Sequence, residues 1–409
     1  MSDSKIASAR PQHFDVIVVG AGLSGLYMLH RLRGLGMTVR VFEAGSGVGG
    51  TWFWNRYPGA RCDVDSLEYS YSFSDELQQA WHWPDRYGTQ PELQKYLDHV
   101  ADRFDLRRDI QFNTRVRSNT FDAAANKWTV TTEAGESVTA QFCVMATGNL
   151  STPTVPGFKG LDQFKGKWYH SGRWPANGVD FTGQRVGVIG TGSTGIQMVP
   201  QIAAQAKHLH VFQRTAHYSV PAGNRPIPPE VERQHKATYV ERRKGAHYSA
   251  YGVAGLAPFP KSAMEATPEE RRAHYEARWQ EGGPFAFLFA YNDLLSNQAS
   301  NDTLAEFVRE KVRSIVKDPT VAELLSPKDY PIGAKRLCVD TDYYETFNRS
   351  NVTLVDVKSA PIVEITERGI RTTRIPDVSF VRRGRLPKGF DRSRPFPGAP
   401  DLAVEIVSP

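Results

Sequence analysis

Twice in this chain a β-branched run breaks into glycines spaced G-x-G-x-x-G and then into helix-compatible sequence, and that repetition limits the possible fold more than any other feature. The first copy runs Phe14-Asp15-Val16-Ile17-Val18-Val19, then Gly20-Ala21-Gly22-Leu23-Ser24-Gly25, then Leu26 to Leu35. The second runs Arg185-Val186-Gly187-Val188-Ile189, then Gly190-Thr191-Gly192-Ser193-Thr194-Gly195, then Ile196 to Ala206. In a strand–turn–helix unit the glycines permit the tight turn, the approach of a pyrophosphate to the backbone and close helix–strand packing, while the first N–H groups of the helix face the phosphates. One copy is a weak signal. Two predict an α/β chain with two Rossmann-like dinucleotide-binding domains.

The strand after each turn ends differently. Thr38-Val39-Arg40-Val41-Phe42 ends in Glu43, whose carboxylate is placed to accept hydrogen bonds from ribose hydroxyls, which favours FAD or NAD over NADP. His208-Leu209-His210-Val211-Phe212-Gln213 ends instead in Arg214, and a cation there suits a 2′-phosphate, so the second site is read as NADPH-binding.

With 409 residues and ordinary apolar and charged fractions the chain can bury a sizeable core in two or three domains. The formal charge of +6 is spread among acids without a basic run, so no nucleic-acid partner is expected, and an anionic cofactor accounts for it more simply. Cys62, Cys143 and Cys338 are far apart and show no metal spacing; neither a disulfide framework nor a metal site is expected, and a reducing cytoplasm fits. No stretch has the ~18 apolar residues of a membrane span, so no membrane association is expected.

Between the two glycine turns lies Phe164-Lys165-Gly166-Lys167-Trp168-Tyr169-His170-Ser171-Gly172-Arg173-Trp174-Pro175, which has neither helical nor strand periodicity. Its pattern, Phe-x-Gly-x-x-x-His-x-x-x-Trp-Pro, resembles the fingerprint of type I Baeyer–Villiger monooxygenases, flavoenzymes that use NADPH and oxygen to insert an oxygen atom beside a ketone carbonyl. Gly47-Val48-Gly49-Gly50-Thr51-Trp52 resembles the second glycine cluster of two-dinucleotide-binding flavoproteins, which makes FAD the choice for the first site. Asn55 to Ser66 and Asp342 to Arg349 are similar to the same family.

The resemblance implies a two-dinucleotide-binding flavoprotein that takes a small-molecule ketone and O2 and forms an ester or lactone. By it, Gly20, Gly22, Gly25, Glu43, Gly49, Gly50, Thr51, Trp52 and Asp63 would hold FAD, and Gly190, Gly192, Gly195, Arg214 and Lys335 would hold NADPH. Arg336 would support the anion formed from oxygen, Asp63 would pair with and fix that arginine, and His170 would couple the two domains. A flavin-containing N- or S-oxygenating enzyme is the nearest alternative, against which Trp174-Pro175 argues; a non-catalytic nucleotide-binding remnant is another.

The expected layout is an FAD domain over residues 1–150 and an NADPH domain over 151–373. Ile110 to Val144 alternates as a small antiparallel β element would, and residues 224–330 read as a helical insertion. Within it, Thr267-Pro268-Glu269-Glu270 is a helix start that Gly282-Gly283 ends, and Leu304, Phe307, Val308, Ile315 and Val316 form an amphipathic face. The resemblance stops near Thr373, so the FAD domain is expected to lack its C-terminal part. Residues 374–409 are expected to be an unrelated fragment, joined by fusion, frameshift or assembly error. Pro400-Asp401 to Pro409 resembles a piece of the Uma-type restriction endonucleases, in which acids such as Asp401 and Glu405 would hold a metal, but no Lys follows them.

Overall fold

The computed structural model describes residues 12–249 and 251–373, together with the backbone of two short strands, Val378–Phe380 and Leu402–Val404. The chain forms two compact units, one of Met1–Val155 with Trp168–Leu354, the other of Pro156–Lys167 with Val355–Pro409.

In the first unit, strands β1 (His13–Val19), β2 (Val39–Phe42), β3 (Ile110–Gln111), β4 (Val116–Asp122), β5 (Lys127–Thr132) and β6 (Ser137–Met145) form one sheet in the order β3-β2-β1-β6-β5-β4. β3, β2, β1 and β6 run parallel, and β6, β5 and β4 are antiparallel neighbours. The continuous apolar run in β1 has a simple cause: both of its faces are covered. Val16 and Val18 pack against Leu26 and Leu29 of helix α1 (Leu23–Gly34), while Ile17 and Val19 pack with Val130, Val138 and Ala140. Helices α2 (Thr51–Trp54), α3 (Asp75–Ala80) and α4 (Gln90–Arg103) follow β2, and Leu93, Leu97 and Val100 of α4 complete the α1 side of the core.

The second glycine turn repeats this plan. β7 (Arg185–Ile189), helix α5 (Ser193–Ala203) and β8 (His208–Gln213) form a parallel strand–helix–strand unit, and β11 (Val352–Asp356) joins on the far side of β8. β9 (Ser219–Pro221) leads, among the described residues, into six helices, α6 (Pro229–Ala237), α7 (Tyr239–His247), α8 (Pro268–Glu281), α9 (Pro284–Leu288), α10 (Gln298–Ile315) and α11 (Pro319–Leu325). The chain returns through β10 (Cys338–Asp340), parallel to β9, and helix α12 (Tyr343–Thr346).

The helix signals act as read. Thr267 Oγ1 accepts the Glu270 N–H at 3.2 Å while the Glu270 carboxylate accepts the Thr267 N–H at 3.0 Å, and Gly282 ends α8 at a φ of 70°. Leu304, Phe307 and Val308 of α10 are fully buried in the core of the insertion.

In the second unit β12 (Ile362–Thr366) and β13 (Gly369–Thr372) form a hairpin, and the backbones of Lys159 and Lys165 bond to those of Ile365 and Glu367. β14 (Val378–Phe380) pairs antiparallel with β15 (Leu402–Val404). Asp401 and Glu405, the acids of the restriction-endonuclease resemblance, lie outside the described residues.

One contact brings the segment after α2 onto α5. Gly59 has φ 80°, and a Cβ built there would lie 2.3 Å from the Gln197 carbonyl oxygen. Gly36 has a similar φ of 77° but open space around it. Left-handed backbone costs an alanine roughly 1–2 kcal/mol at either site; only Gly59 adds a backbone collision. Gly59→Ala is therefore expected to lower the thermal midpoint clearly more than Gly36→Ala, measured by circular dichroism. Equal shifts would show that the approach to α5 contributes nothing.

Candidate active site

The first glycine turn is assembled from three separate stretches. Gly25 packs so close that a Cβ would fall 1.9 Å from the Gly20 carbonyl oxygen, which sets α1 hard against the end of β1. Gly22 caps α1 without a side chain, so the first N–H groups of the helix are offered outward. Gly49 donates its N–H to the Ala21 carbonyl at 3.0 Å, and a Cβ on Gly50 would lie 2.9 Å from the Gly22 Cα. The second glycine cluster thus closes over the first.

Glu43, 5% exposed, holds this arrangement with both carboxylate oxygens: Oε2 accepts the Ala21 N–H at 2.7 Å and Oε1 the Gly45 N–H at 2.6 Å. A carboxylate has about four acceptor positions, so each oxygen keeps one for a ribose hydroxyl. The cradle therefore fits a dinucleotide. Thr51 is exposed at the start of α2, whereas Trp52 belongs to the core and its indole N–H donates to Tyr69 Oη at 3.2 Å.

The second turn has the same close approach, with a Gly195 Cβ 2.2 Å from the Gly190 carbonyl oxygen, and open space at Gly190 and Gly192. Thr191 is buried and its hydroxyl donates to the Thr215 carbonyl at 3.1 Å. Arg214 is exposed just past β8, and Lys335 is exposed with its ammonium 4.1 Å from the centre of the Tyr330 ring. No acid stands at the end of β8. This site fits a more anionic nucleotide than the first.

Asp63 and Arg336 meet beside the second turn. Arg336 Nη1 lies 3.3 Å from Asp63 Oδ2, with the Asp63 side chain largely buried and that of Arg336 67% exposed, so most of the guanidinium fork faces outward. Tyr57 and Gln197 make the joint that sequence reading missed. Tyr57 Oη donates to Gln197 Oε1 at 2.9 Å, and Gln197 Nε2 donates to the Arg61 carbonyl at 3.0 Å. Burial raises the Tyr57 phenol above its ordinary range, against the lowering effect of Thr194 and Arg336. Burial likewise pushes the Cys62 thiol up to about 12 and that of Cys338 to about 11, so neither is a thiolate nucleophile at neutral pH.

His170 stands apart from this pair. Its Nδ1 accepts the Gly172 N–H at 3.1 Å, which fixes the ring proton on Nε2, and Nε2 donates to the Thr154 carbonyl at 3.2 Å. Trp174 is buried with Phe181 in the α5 core. The fingerprint divides at Lys167 and Trp168 between the two compact units.

Residues 14–222 match the family described as flavin-binding monooxygenase-like. The chain is 47% identical over 360 residues to a Baeyer-Villiger monooxygenase of Pseudooceanicola batsensis, covering 88% of this chain and 65% of that protein. A solved structure of an oxidized steroid monooxygenase bound to NADP is 57% identical and superposes with a TM-score of 0.84, over 88% of this chain and 69% of that one. A complex of OTEMO with FAD and NADP gives 42% identity and a TM-score of 0.85, over 89% and 68%. The chain thus spans about two thirds of the length of these relatives, and its fold is that of two-dinucleotide-binding flavoproteins. Two glycine turns, their closing second cluster and the matched span together place the chain in the flavin-binding monooxygenase-like family.

Proposed function

We propose that the chain is an FAD- and NADPH-dependent Baeyer–Villiger monooxygenase, inserting one oxygen atom of O2 beside the carbonyl of a small-molecule ketone to give an ester or lactone. The observation that carries this reading is the Arg336–Asp63 pair beside the second glycine turn. FAD would lie on Gly20, Gly22 and Gly25 with its ribose on Glu43, and NADPH on Gly190, Gly192 and Gly195 with its 2′-phosphate near Arg214 and Lys335. Bound FAD, reduced by NADPH, supplies the oxygen-activating chemistry.

The protein's own task is to hold negative charge on oxygen away from bulk water. Arg336 suits it, because a guanidinium keeps its proton and presents several donors in a fixed fork. Asp63 takes one of them, which limits the guanidinium's swing and offsets its charge until an anion arrives. His170, with its Nε2 proton committed to the Thr154 carbonyl and its Nδ1 accepting the Gly172 N–H, acts on backbone and not as an acid or base. A flavoenzyme with three free cysteines suits a reducing cytoplasm. Among the described residues no helix is long and apolar enough to cross a membrane.

Two experiments separate the parts of this reading. Arg336→Ala should still allow NADPH to bleach bound flavin anaerobically, while ester formation falls by ~10²–10³, the loss typical of removing one donor to a developing oxyanion. Stopped-flow absorbance and product chromatography read the two steps, and normal ketone turnover by the variant would refute the assignment. Arg214→Ala should weaken NADPH by about one to two decades, the loss of one charge-assisted contact of roughly 1.5–3 kcal/mol, and leave NADH unchanged. Parallel titrations decide it: equal loss for both nucleotides means that Arg214 does not read the 2′-phosphate.

A further inference from the structure

The helical insertion reaches the segment that carries Asp63 through a buried acid. Glu68, five residues on, has a side chain only 4% exposed. Its Oε1 accepts Arg242 Nε at 3.0 Å and is also bonded by Arg242 Nη2, and its Oε2 lies 3.8 Å from Arg243 Nη1. Arg243 spends its remaining reach on the same stretch, donating to the carbonyls of Leu67 at 3.3 Å and Glu68 at 2.9 Å, to Ser70 Oγ at 2.7 Å and to Gln78 Oε1 at 3.1 Å. His235 of α6 stands 3.4 Å from Glu68 Oε1, and burial, with the two arginines, keeps its imidazole below the usual range.

Backbone hydrogen bonds brace the stretch from Asp65 to Tyr69. The N–H groups of Glu68 and Tyr69 both donate to the Asp65 carbonyl at 2.9 Å, and Ser66 N–H donates to the Arg86 carbonyl at 2.7 Å. Further on, Tyr71 Oη donates to the Leu23 carbonyl in the first glycine turn at 2.6 Å. Asp63, Glu68, His235 and Arg242 line one open cavity of about 570 Å³, together with Phe259 and Phe289 of the insertion. A buried ion pair adds little net stability compared with apolar packing, but it holds its partners in one register. Burying Glu68 therefore serves position more than stability.

We propose that Glu68, gripped by Arg242 and Arg243 of α7, is a positioning residue through which the insertion holds Asp63, and hence Arg336, in place for oxygen insertion. The proposal rests on the functional reading above. Severing the grip alters no residue of either glycine turn and leaves the Tyr71 bond to Leu23 in place, but lets the Asp63 segment move, so hydride transfer continues while oxygen is lost as hydrogen peroxide.

The test compares Glu68→Ala, Arg242→Ala and Arg242→Lys with Arg272→Ala, which removes a surface pair to Glu310 elsewhere in the insertion. Hydrogen exchange over residues 62–71 should quicken about tenfold in the first two variants. Their ratio of ester to NADPH consumed should fall about tenfold or more, since small misplacements of reacting groups have large effects, while flavin bleaching by NADPH stays unchanged. Arg242→Lys should recover part of the ratio, and Arg272→Ala should match the parent. Unchanged exchange in 62–71, or faster exchange with an unchanged ester ratio, overturns the proposal. Should Glu68→Ala fail to fold, Arg242→Ala, which leaves Glu68 with Arg243, carries the comparison. If the parent protein forms no ester from any ketone, the functional reading fails; the exchange data then still decide whether Glu68 and Arg242 hold Asp63.

Discussion

An ion pair between a loop near the first sheet and a loop entering β10 is the contact on which the site depends, because Asp63 and Arg336 are distant in sequence and meet only if both neighbourhoods are correctly packed. Neither residue carries its own support. Asp63 is held by its surroundings: Gly59 against the backbone of α5, Tyr57 on Gln197, and Gln197 in turn on the Arg61 carbonyl. Arg336 arrives on the chain that returns from the helical insertion to pair β10 with β9. The pair is thus a readout of two folding events.

The glycine turns show a different economy, in which one carboxylate does two things. Glu43 fastens the backbone of the first turn through Ala21 and that of the following loop through Gly45, and still has acceptor positions to spare. Because that carboxylate is almost fully buried, its two backbone bonds are what make its charge tolerable. At the second site the corresponding chain end carries an exposed Arg214, which needs no such support. The turn there is held instead by the Thr191 hydroxyl on the Thr215 carbonyl.

What could be read from the sequence was whatever has a local period or a fixed spacing. The two strand–turn–helix units, the antiparallel β4, β5 and β6, the capped start of α8 and the buried face of α10 are of this kind, since each follows from residues within one or two turns of chain. The Asp63–Arg336 pairing became legible only through family resemblance. Tyr57 with Gln197, and Glu68 with Arg242 and Arg243, were not legible at all. Each joins residues more than a hundred positions apart, and no local pattern marks a tyrosine that will meet a helix of another sheet. Trp52, which motif position places at the nucleotide, also has its indole in the core with the Tyr69 hydroxyl in reach, a contact that no local pattern marks.

The hydrogen bond from His170 to the Thr154 carbonyl bears on how the chain is assembled. Thr154 and His170 stand on either side of residues 156–167, whose own backbone partners, Ile365 and Glu367, lie far along the chain. A short loop is cheap to close, whereas the second unit must wait for those later residues to be synthesised. During translation the histidine can therefore tie off the excursion early, so that its two ends are already side by side when the late strand arrives. In kinetic terms, the His170 contact is local in sequence and the pairing with Ile365 and Glu367 is long-range, so the first can form before the second.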